Sequence, residues 1–208
     1  MCGIAGYFGS QQIDPARIQN CLALMRRRGP DHAEYRHWVN QSGRQAYLLH
    51  SRLSIIDLDA RANQPFKIGS KSLSVNGELY NYVELRAALI KEGYSFTTES
   101  DTEVLLRVID HYGLQALDRC EGMWAFAVYD HEDGSLTLSR DRFGEKPLHL
   151  YRDETGLYFG SEVKFIMALL GRPLEVNCDQ LYRLMVNGYK ALYKDRQTFF
   201  NQRFTFLR

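Results

Sequence analysis

The first nine residues of the chain restrict its fold more than any other segment. Cys2 is followed by residues 3–9, an apolar and glycine-rich run. A short run of this kind predicts a buried strand, which would hold the start of the chain in place. Met1 precedes a small residue, so we expect it to be removed during synthesis, leaving Cys2 as the first residue. The fold is therefore expected to place the amino terminus at the end of a buried strand.

A cysteine in first position carries both a nucleophile and a base. The α-amine has an unperturbed pKa of about 7.7–8.0, so a large fraction of it is neutral near pH 7–8. It can take the proton of the thiol directly or through one water molecule, and the resulting thiolate is the species that attacks. The alternative is that Cys2 lies by chance in an ordinary disordered start. The first nine residues alone leave both interpretations open.

The composition is that of one large globular domain. The chain has 208 residues, of which 45% are hydrophobic and 25% charged, with a formal net charge of +1. These values exclude disordered and collagen-like classes, and so small a net charge gives no general electrostatic basis for binding nucleic acid or a membrane surface. No apolar run approaches the roughly 20 residues that span a bilayer, and we recognise no secretory segment. We therefore expect a cytoplasmic protein.

The cysteines and histidines give no sign of a metal site. The four cysteines are far apart and form no Cys-x-x-Cys pair, and the six histidines are scattered along the chain. No cluster has the spacing of a metal-ligand set. Cys21 and Cys120 have the surroundings of core thiols. We therefore predict that the chain binds no metal.

The order of predicted elements favours antiparallel sheets. Asp14-Pro15 is typical of a helix start, with Asp14 as the N-cap. Three pairs of strands are each separated by a turn-like segment: residues 34–39 and 45–50, 123–130 and 135–140, and 147–152 and 157–161. Further helices are predicted at about 82–92, after Asp101, at 161–170 and at 179–186. Strands joined by hairpins form antiparallel sheets, and we expect helices to cover their faces.

Three positions near predicted element ends could bind an amino acid. The planar guanidinium of Arg52 could grip a carboxylate through two parallel hydrogen bonds. Asp101 could accept an ammonium group, or it could simply cap its own helix. Asn76-Gly77 could present a side-chain amide and a backbone N–H together, as an oxyanion hole does, or it could form a plain turn. Local sequence leaves both interpretations open at Asp101 and at Asn76-Gly77.

Short motifs spread along the chain carry a resemblance to a known family. In chain order they are Cys2-Gly3-Ile4-Ala5-Gly6, Arg28-Gly29-Pro30-Asp31, Arg52-Leu53-Ser54-Ile55-Ile56-Asp57, Val75-Asn76-Gly77-Glu78-Leu79-Tyr80-Asn81, Ser100-Asp101-Thr102-Glu103 and Gly122-Met123-Trp124-Ala125-Phe126-Ala127. In this order they resemble the glutaminase domain of class II glutamine amidotransferases. Residues 140–148 and 160–164 make the chain similar to the asparagine synthetase branch. The resemblance covers roughly residues 2–190.

The resemblance implies a fold and a set of roles. The fold is α+β, a four-layer αββα sandwich of two antiparallel sheets flanked by helices, as in N-terminal-nucleophile hydrolases. Cys2 would attack the side-chain amide of L-glutamine, with its own α-amine as the base and later as the proton donor to ammonia. The other implied roles are oxyanion stabilisation by Asn76 and Gly77, binding of the α-carboxylate by Arg52, binding of the α-ammonium by Asp101 with Glu78, lining of the pocket by backbone groups of Leu53 and Ile55, and organisation of the covering loop by Arg28.

The resemblance also implies how the chain is divided and what it works with. Residues 2–190 would be the glutaminase domain, and residues 191–208 a tail or the start of a linker to a synthetase domain. The Ser-Gly-Gly-x-Asp-Ser loop that marks such a domain does not occur in this sequence. We therefore expect no cofactor here, with ATP and Mg²⁺ used only by an absent synthetase domain. The expected partners are L-glutamine and a synthetase domain or subunit that receives ammonia, while a homodimer stays open.

Two alternative functions are compatible with the same residues. One is a different enzyme on this fold, either a standalone amidase or the glutaminase half of an amino-sugar or phosphoribosylamine synthase. Residues 140–148 argue against the two synthases. The other is a non-catalytic regulatory or docking module. Such a module would be expected to lack Cys2, Arg52, Asn76 or Asp101, and all four are present.

Overall fold

Helices and strands cover most of the chain that the structure describes. The structure is a computed structural model that describes residues 1–188 and, for the backbone alone, residues 204–206. The strands are β1 (Gly3–Gly9), β2 (His32–Val39), β3 (Gln45–Arg52), β4 (Phe66–Ile68), β5 (Lys71–Leu79), β6 (Gly122–Asp130), β7 (Leu136–Arg140), β8 (His149–Arg152), β9 (Gly156–Gly160) and β10 (Phe204–Phe206). The helices are α1 (Pro15–Met25), α2 (Tyr82–Lys91), α3 (Asp101–Tyr112), α4 (Val163–Leu170) and α5 (Cys178–Asn187).

The strands form two antiparallel sheets. One has six strands in the order β10-β8-β9-β1-β3-β2, and the other has four in the order β4-β5-β6-β7. Neighbouring strands within each sheet run antiparallel. Helices α1 and α4 pack on the outer face of the first sheet, and α2 and α3 on the outer face of the second. The predicted α+β fold, a four-layer αββα sandwich, is therefore confirmed.

The alternation of side chains along the strands separates the core into layers. Ile4 of β1 and Leu48 of β3 point toward the four-stranded sheet, where they meet Ala125 and Ala127 of β6. The alternate residues of the same strands pack against the helices instead. Burial of each large apolar side chain contributes about 1.5–3 kcal/mol, so the period of two fixes which face of each strand is inside.

The first strand lies in the interior of the six-stranded sheet, between β3 and β9. Gly6 permits this close packing, because a Cβ atom there would lie 2.3 Å from Tyr47 O and 2.2 Å from Phe159 Cζ. The prediction of a buried strand after Cys2 is confirmed, and the alternative of a disordered start is wrong. The strand therefore carries Cys2 to one end of the sandwich.

Most of the predicted elements are present with small shifts at their ends. The three predicted hairpins are the pairs β2–β3, β6–β7 and β8–β9. Asp14 caps α1, since its Oδ1 accepts a hydrogen bond of 2.8 Å from Ala16 N. Local signals were sufficient here because each of these elements is completed by residues close in sequence.

The interpretation of Asn76-Gly77 as a turn is wrong. Both residues lie inside β5, opposite Ala125 and Trp124 of β6. A Cβ atom on Gly77 would lie 2.4 Å from Met123 O, so the glycine is required by the close approach of the two strands. Pairing with a distant strand outweighs the local turn preference.

The interpretation of Asp101 as an N-cap is also wrong. Ser100 holds that position, and its hydroxyl oxygen accepts a hydrogen bond of 3.1 Å from Thr102 N. Asp101 is instead the first residue of α3, with one carboxylate oxygen turned toward β5, where Leu79 N donates to it at 3.0 Å. The carboxylate therefore bonds to β5, and the N-cap position of α3 belongs to Ser100.

Most of the predicted tail, residues 191–208, lies outside the described residues. Within it, residues 204–206 form β10, which pairs with β8 at the edge of the six-stranded sheet. This part of the tail therefore belongs to the sandwich. The predicted domain boundary at residue 190 stays a prediction.

The described residues contain neither a membrane-spanning helix nor a metal-binding cluster. No helix among them combines the length and the apolar character needed to cross a bilayer. No three His, Cys, Asp or Glu side chains among them are grouped so that they could hold a metal ion. The prediction that this domain works without a metal stays a prediction.

Candidate active site

The layer between the sheets becomes polar at one end of the sandwich. By the period of two, Cys2 and Arg52 share the strand faces of Ile4 and Leu48. The apolar residues of β5 pack against the helices, so Asn76 lies on the face toward the six-stranded sheet. A cavity of about 120 Å³ lies at this end. All eight residues predicted for the site line it: Cys2, Arg52, Leu53, Ile55, Asn76, Gly77, Glu78 and Asp101.

The sulfur and the backbone of Cys2 are both held in place. Leu53 N donates a hydrogen bond to Cys2 Sγ at 3.4 Å. Arg28 Nε donates to the carbonyl oxygen of Cys2 at 2.8 Å, and Arg28 Nη1 forms an ion pair of 3.2 Å with Glu162 Oε1. Arg28 therefore positions the backbone of Cys2, while its role in organising a covering loop stays a prediction.

The thiol of Cys2 needs a base before it can attack. Burial raises its pKa above the usual value, although the Leu53 N–H and the positive charges of the amino terminus and Arg52 act in the opposite direction. The thiol is therefore protonated at neutral pH, and the thiol form is a poor nucleophile. In a chain that begins at Cys2, the α-amine would be attached to the same Cα and could take this proton.

Two hydrogen-bond donors of β5 face the cavity. Asn76 is 1% exposed, and its Nδ2 has no hydrogen-bond partner among the described residues. Gly77 lies opposite Trp124, whose N–H and carbonyl both bond to Asp141 on the far side of β6. Gly77 and Trp124 therefore exchange no hydrogen bonds, and the Gly77 N–H points away from β6. An acceptor placed in the cavity could bond to both donors.

The residues two positions before and two positions after Gly77 confirm the direction of its N–H. Val75 N donates to Gln64 Oε1 at 2.6 Å, and Leu79 N donates to Asp101 Oδ2 at 3.0 Å. Residues two apart along a strand point their backbone N–H groups to the same edge. The Gly77 N–H therefore lies between two such groups, on the edge of β5 that borders the cavity.

Asp101 presents a carboxylate to the same cavity. Burial raises the pKa of Asp101, and the negative charge of Glu78 acts in the same direction, while hydrogen bonds from Leu79 N, Thr102 N and the Ser100 hydroxyl oppose the rise. A cation beside Asp101 and Glu78 would stabilise the ionised carboxylate. The two acidic groups therefore suit the binding of an ammonium group.

The guanidinium of Arg52 is held by the loop that follows β3. Its terminal nitrogens donate to the carbonyl oxygens of Ile56, Asp57 and Asp59 and to Asn63 Oδ1, at 2.7 Å for Asn63. Arg52 is 5% exposed and borders the cavity. All of these acceptors are neutral, and no carboxylate among the described residues forms an ion pair with Arg52. Its predicted grip on a substrate carboxylate stays a prediction.

Sequence reasoning missed several residues that line the cavity. They include Gln64, Ser100, Thr102 and Lys146. Lys146 is 6% exposed, and its Nζ donates to Met1 Sδ at 3.5 Å. The motif of residues 140–148 contains Lys146 and was the available signal for it. No local pattern singles out Gln64, whose bonds reach segments distant in sequence.

The fold and the cavity together define a class of protein. Its members are sandwiches of two sheets in which a cysteine lies directly before an interior strand. A solved structure of glutamine phosphoribosylpyrophosphate amidotransferase from B. subtilis, in complex with ADP and GMP, aligns with a TM-score of 0.67 at 19% identity, covering 82% of this chain and 44% of that one. A structure described as the allosteric regulatory enzyme of purine biosynthesis aligns with a TM-score of 0.63, also at 19% identity, covering 81% of this chain and 43% of that one. At this identity the likeness concerns the fold alone.

The chain belongs to the family of glutamine amidotransferase domains, whose family model matches residues 1–206. It is 35% identical over 192 residues to glutamine-hydrolyzing asparagine synthetase 1 of Bacillus subtilis (strain 168). It is 40% identical over 174 residues to glutamine-hydrolyzing asparagine synthetase B of Escherichia coli (strain K12). The alignments cover 89% and 80% of this chain but 29% and 30% of the relatives. The chain thus spans less than a third of the length of these curated relatives.

Proposed function

We propose that this chain hydrolyses the side-chain amide of L-glutamine to glutamate and ammonia. The observation that carries the proposal is the convergence of eight predicted residues on one cavity beside the Cys2 thiol. They come from the residue before β1, from β3 and the loop that follows it, from β5 and from the start of α3, and so from segments of both sheets. Several of the eight are polar or charged, and core packing alone gives no reason for such residues from distant segments to meet.

The first half of the reaction forms a thioester on Cys2. The α-amine takes the thiol proton, and the thiolate attacks the side-chain carbonyl carbon of glutamine. The carbonyl oxygen becomes an oxyanion that accepts hydrogen bonds from Asn76 Nδ2 and the Gly77 N–H. When the tetrahedral intermediate collapses, the C–N bond breaks and the protonated amine gives its proton to the departing ammonia.

The second half releases glutamate and restores the thiol. The α-amine, now neutral again, takes a proton from a water molecule as that water attacks the thioester. The same two donors of β5 stabilise the second oxyanion. The C–S bond then breaks, the proton returns to the sulfur, and glutamate leaves.

The charges around the cavity suit the zwitterionic end of the substrate. Arg52 would bind the α-carboxylate, and Asp101 with Glu78 would bind the α-ammonium. Backbone groups of Leu53 and Ile55 would line the side of the pocket. A ligand that lacks one of the two charges leaves a buried group unpaired, so it should be rejected strongly.

We extend the proposal to the fate of the ammonia. Because the similar proteins are glutamine-hydrolyzing asparagine synthetases, ammonia would pass to a synthetase domain or subunit that amidates aspartate. This chain would need no cofactor, and ATP and Mg²⁺ would serve the synthetase part. A cytoplasmic location belongs to the same proposal, and the four free cysteines support it, because disulfides are rare in cytosolic proteins.

A glutaminase assay on the purified chain tests the proposal. Intact-mass spectrometry first establishes that Met1 has been removed, and glutamate and ammonia are then measured after incubation with L-glutamine. We expect equal amounts of both products, with no turnover by Cys2→Ala and little with D-glutamine or simple amides. A chain with a free Cys2 amine and no turnover would overturn the proposal. Equal turnover of simple amides would favour a standalone amidase.

A further inference from the structure

His50 joins the two sheets beside the nucleophile. It lies on β3, two residues before Arg52, and its side chain is completely buried. Its Nε2 lies 3.1 Å from the carbonyl oxygen of Val75 on β5. A carbonyl oxygen can only accept a hydrogen bond, so Nε2 must carry the proton. The imidazole therefore donates a hydrogen bond across the layer between the sheets.

The proposed catalytic groups are divided between these sheets. Cys2 directly precedes β1 of the six-stranded sheet, whereas Asn76 and Gly77 lie on β5 of the four-stranded sheet. The distance from the sulfur to the oxyanion donors therefore depends on how the sheets are held together at this end. A misplacement of about 1 Å can lower a rate about 100-fold. Apolar packing between the sheets is non-directional, so it does not fix this distance closely. A hydrogen bond between the sheets at this point is directional and can fix it.

The bond from His50 acts on the peptide unit next to Asn76. The carbonyl of Val75 and the N–H of Asn76 belong to one planar peptide unit, so holding the carbonyl orients the backbone that leads into Asn76. The preceding peptide unit is held by Gln64, whose Oε1 accepts from Val75 N at 2.6 Å and whose Nε2 donates to Thr102 Oγ1 at 3.2 Å. This part of β5 is therefore fixed both to β3 and to the start of α3.

We propose that His50 is a positioning residue, which holds the two oxyanion donors of β5 in register with the thiol of Cys2 on the other sheet. This inference rests on the proposed function, because it assigns the bond a role in the hydrolysis of glutamine. Its effect is on the transition states and the tetrahedral intermediates, because the oxyanion is absent from bound glutamine and develops only as the carbonyl is attacked.

The protonation state of His50 agrees with a positional role. Burial lowers the pKa of His50 to about 3, and the positive charge of Arg52 acts in the same direction, while the hydrogen bond to Val75 opposes both. The imidazole is therefore neutral at working pH, with its proton on Nε2. A group with so low a pKa is a weak general base near pH 7. His50 therefore contributes to catalysis by directing a hydrogen bond at Val75, and not by transferring a proton.

Two variants of residue 50 form a matched test. His50→Gln keeps an N–H donor at a similar reach, whereas His50→Met has a similar length and no donor. With the parent chain assayed in parallel, we expect kcat of His50→Met to fall about 10- to 100-fold with KM within about twofold of the parent value. His50→Gln should restore kcat to within about threefold of the parent value.

Two further measurements separate positioning from a general loss of structure. The Kd for L-norvaline, which has the zwitterionic end of glutamine and no side-chain carbonyl, should be unchanged in both variants. The rate at which iodoacetamide alkylates Cys2, followed on the Cys2 peptide by mass spectrometry, should also be unchanged. Neither measurement requires the oxyanion donors. Parental kcat in both variants, or an equal loss in both, would overturn the inference.

The test also covers a variant that does not fold. If circular dichroism shows that His50→Met is unfolded, His50→Gln decides alone: kcat within about threefold of the parent value supports the inference, and a folded variant with a larger loss contradicts it. A parent chain without turnover would overturn the proposed function, and the inference with it, and this outcome is recognised because the parent is assayed first.

Discussion

At the scale of single residues, Asn76 gives the sharpest test of the oxyanion site. Asn76→Ala should lower kcat about 10²–10³-fold with little change in KM, because the oxyanion forms only on the way to the tetrahedral intermediate. Asn76→Asp should be slower still, since a carboxylate would face the developing negative charge. Steady-state glutaminase kinetics on both variants measures the effect. An Asn76→Ala chain with parental kcat would remove this residue from the oxyanion site.

The ionised carboxylate of Asp101 should strengthen substrate binding and lower the free energy of unfolding. Burial raises its pKa, so ionisation of Asp101 lowers the free energy of unfolding as the pH rises through that pKa. Asp101→Asn removes this titration, and the stability of the variant relative to the parent should therefore increase with pH. Its kcat/KM should fall by the equivalent of about 2–5 kcal/mol, because the substrate ammonium loses its charged partner.

Urea unfolding of both chains at several pH values, together with glutaminase kinetics, measures the two effects of Asp101→Asn. The parent chain serves as the control at each pH. A stability difference that stays constant across the pH series would show that Asp101 does not titrate as the burial of its carboxylate requires.

At the scale of the element, the close pairing of β5 with β6 explains why residue 77 is glycine. In Gly77→Ala the new Cβ would lie 2.4 Å from Met123 O and 2.8 Å from Trp124 Cα, so β5 would have to move away from β6. We expect a lower Tm and a loss of about 100-fold in kcat, because the oxyanion donors move with the strand.

Ser74→Ala is the matched control for Gly77→Ala in the same strand. Ser74 is buried on β5, and its Oγ has no hydrogen-bond partner among the described residues. Its replacement should leave Tm and kcat close to the parent values, as measured by thermal unfolding and glutaminase kinetics. If the two alanine variants behave alike, the close approach at residue 77 is not what places the donors.

The same elements show where sequence reasoning succeeds. Hairpins such as β6–β7 and the Asp14 cap of α1 are completed within a few residues, so local patterns identify them. Asn76-Gly77 has a strong turn signal, yet it continues β5, because its partner Trp124 lies far along the chain. Asp101 was a candidate cap for the same local reason, although its carboxylate faces β5.

At the scale of the whole molecule, residues 1–208 by themselves should release ammonia without making asparagine. The chain spans 29% of the length of the Bacillus subtilis relative and contains no Ser-Gly-Gly-x-Asp-Ser loop. With glutamine, aspartate, ATP and Mg²⁺ supplied, we expect glutamate and ammonia to accumulate and no asparagine, as amino-acid analysis would show. Formation of asparagine would place the ATP-dependent step in this chain.

The architecture was predictable only in part from the residues themselves. The hairpin order indicated antiparallel sheets covered by helices, and the family resemblance supplied the four layers and the residues of the site. The contacts of Arg52 with the carbonyls of Ile56, Asp57 and Asp59 were not predicted. Neither was the bond between His50 and Val75. A period of two or 3.6 residues tells which face is buried, but it does not tell which polar groups meet across two sheets.

The central claim is that the thiol and the α-amine of Cys2 act together. The most direct test compares the rate of ammonia release from L-glutamine by two forms of the purified chain. One form has lost Met1 and the other retains it, and intact mass verifies each form. We predict that the form beginning at Cys2 turns over and that the form retaining Met1 is at least about 100-fold slower, the typical loss when a general base is absent. Equal rates for the two forms would contradict the claim.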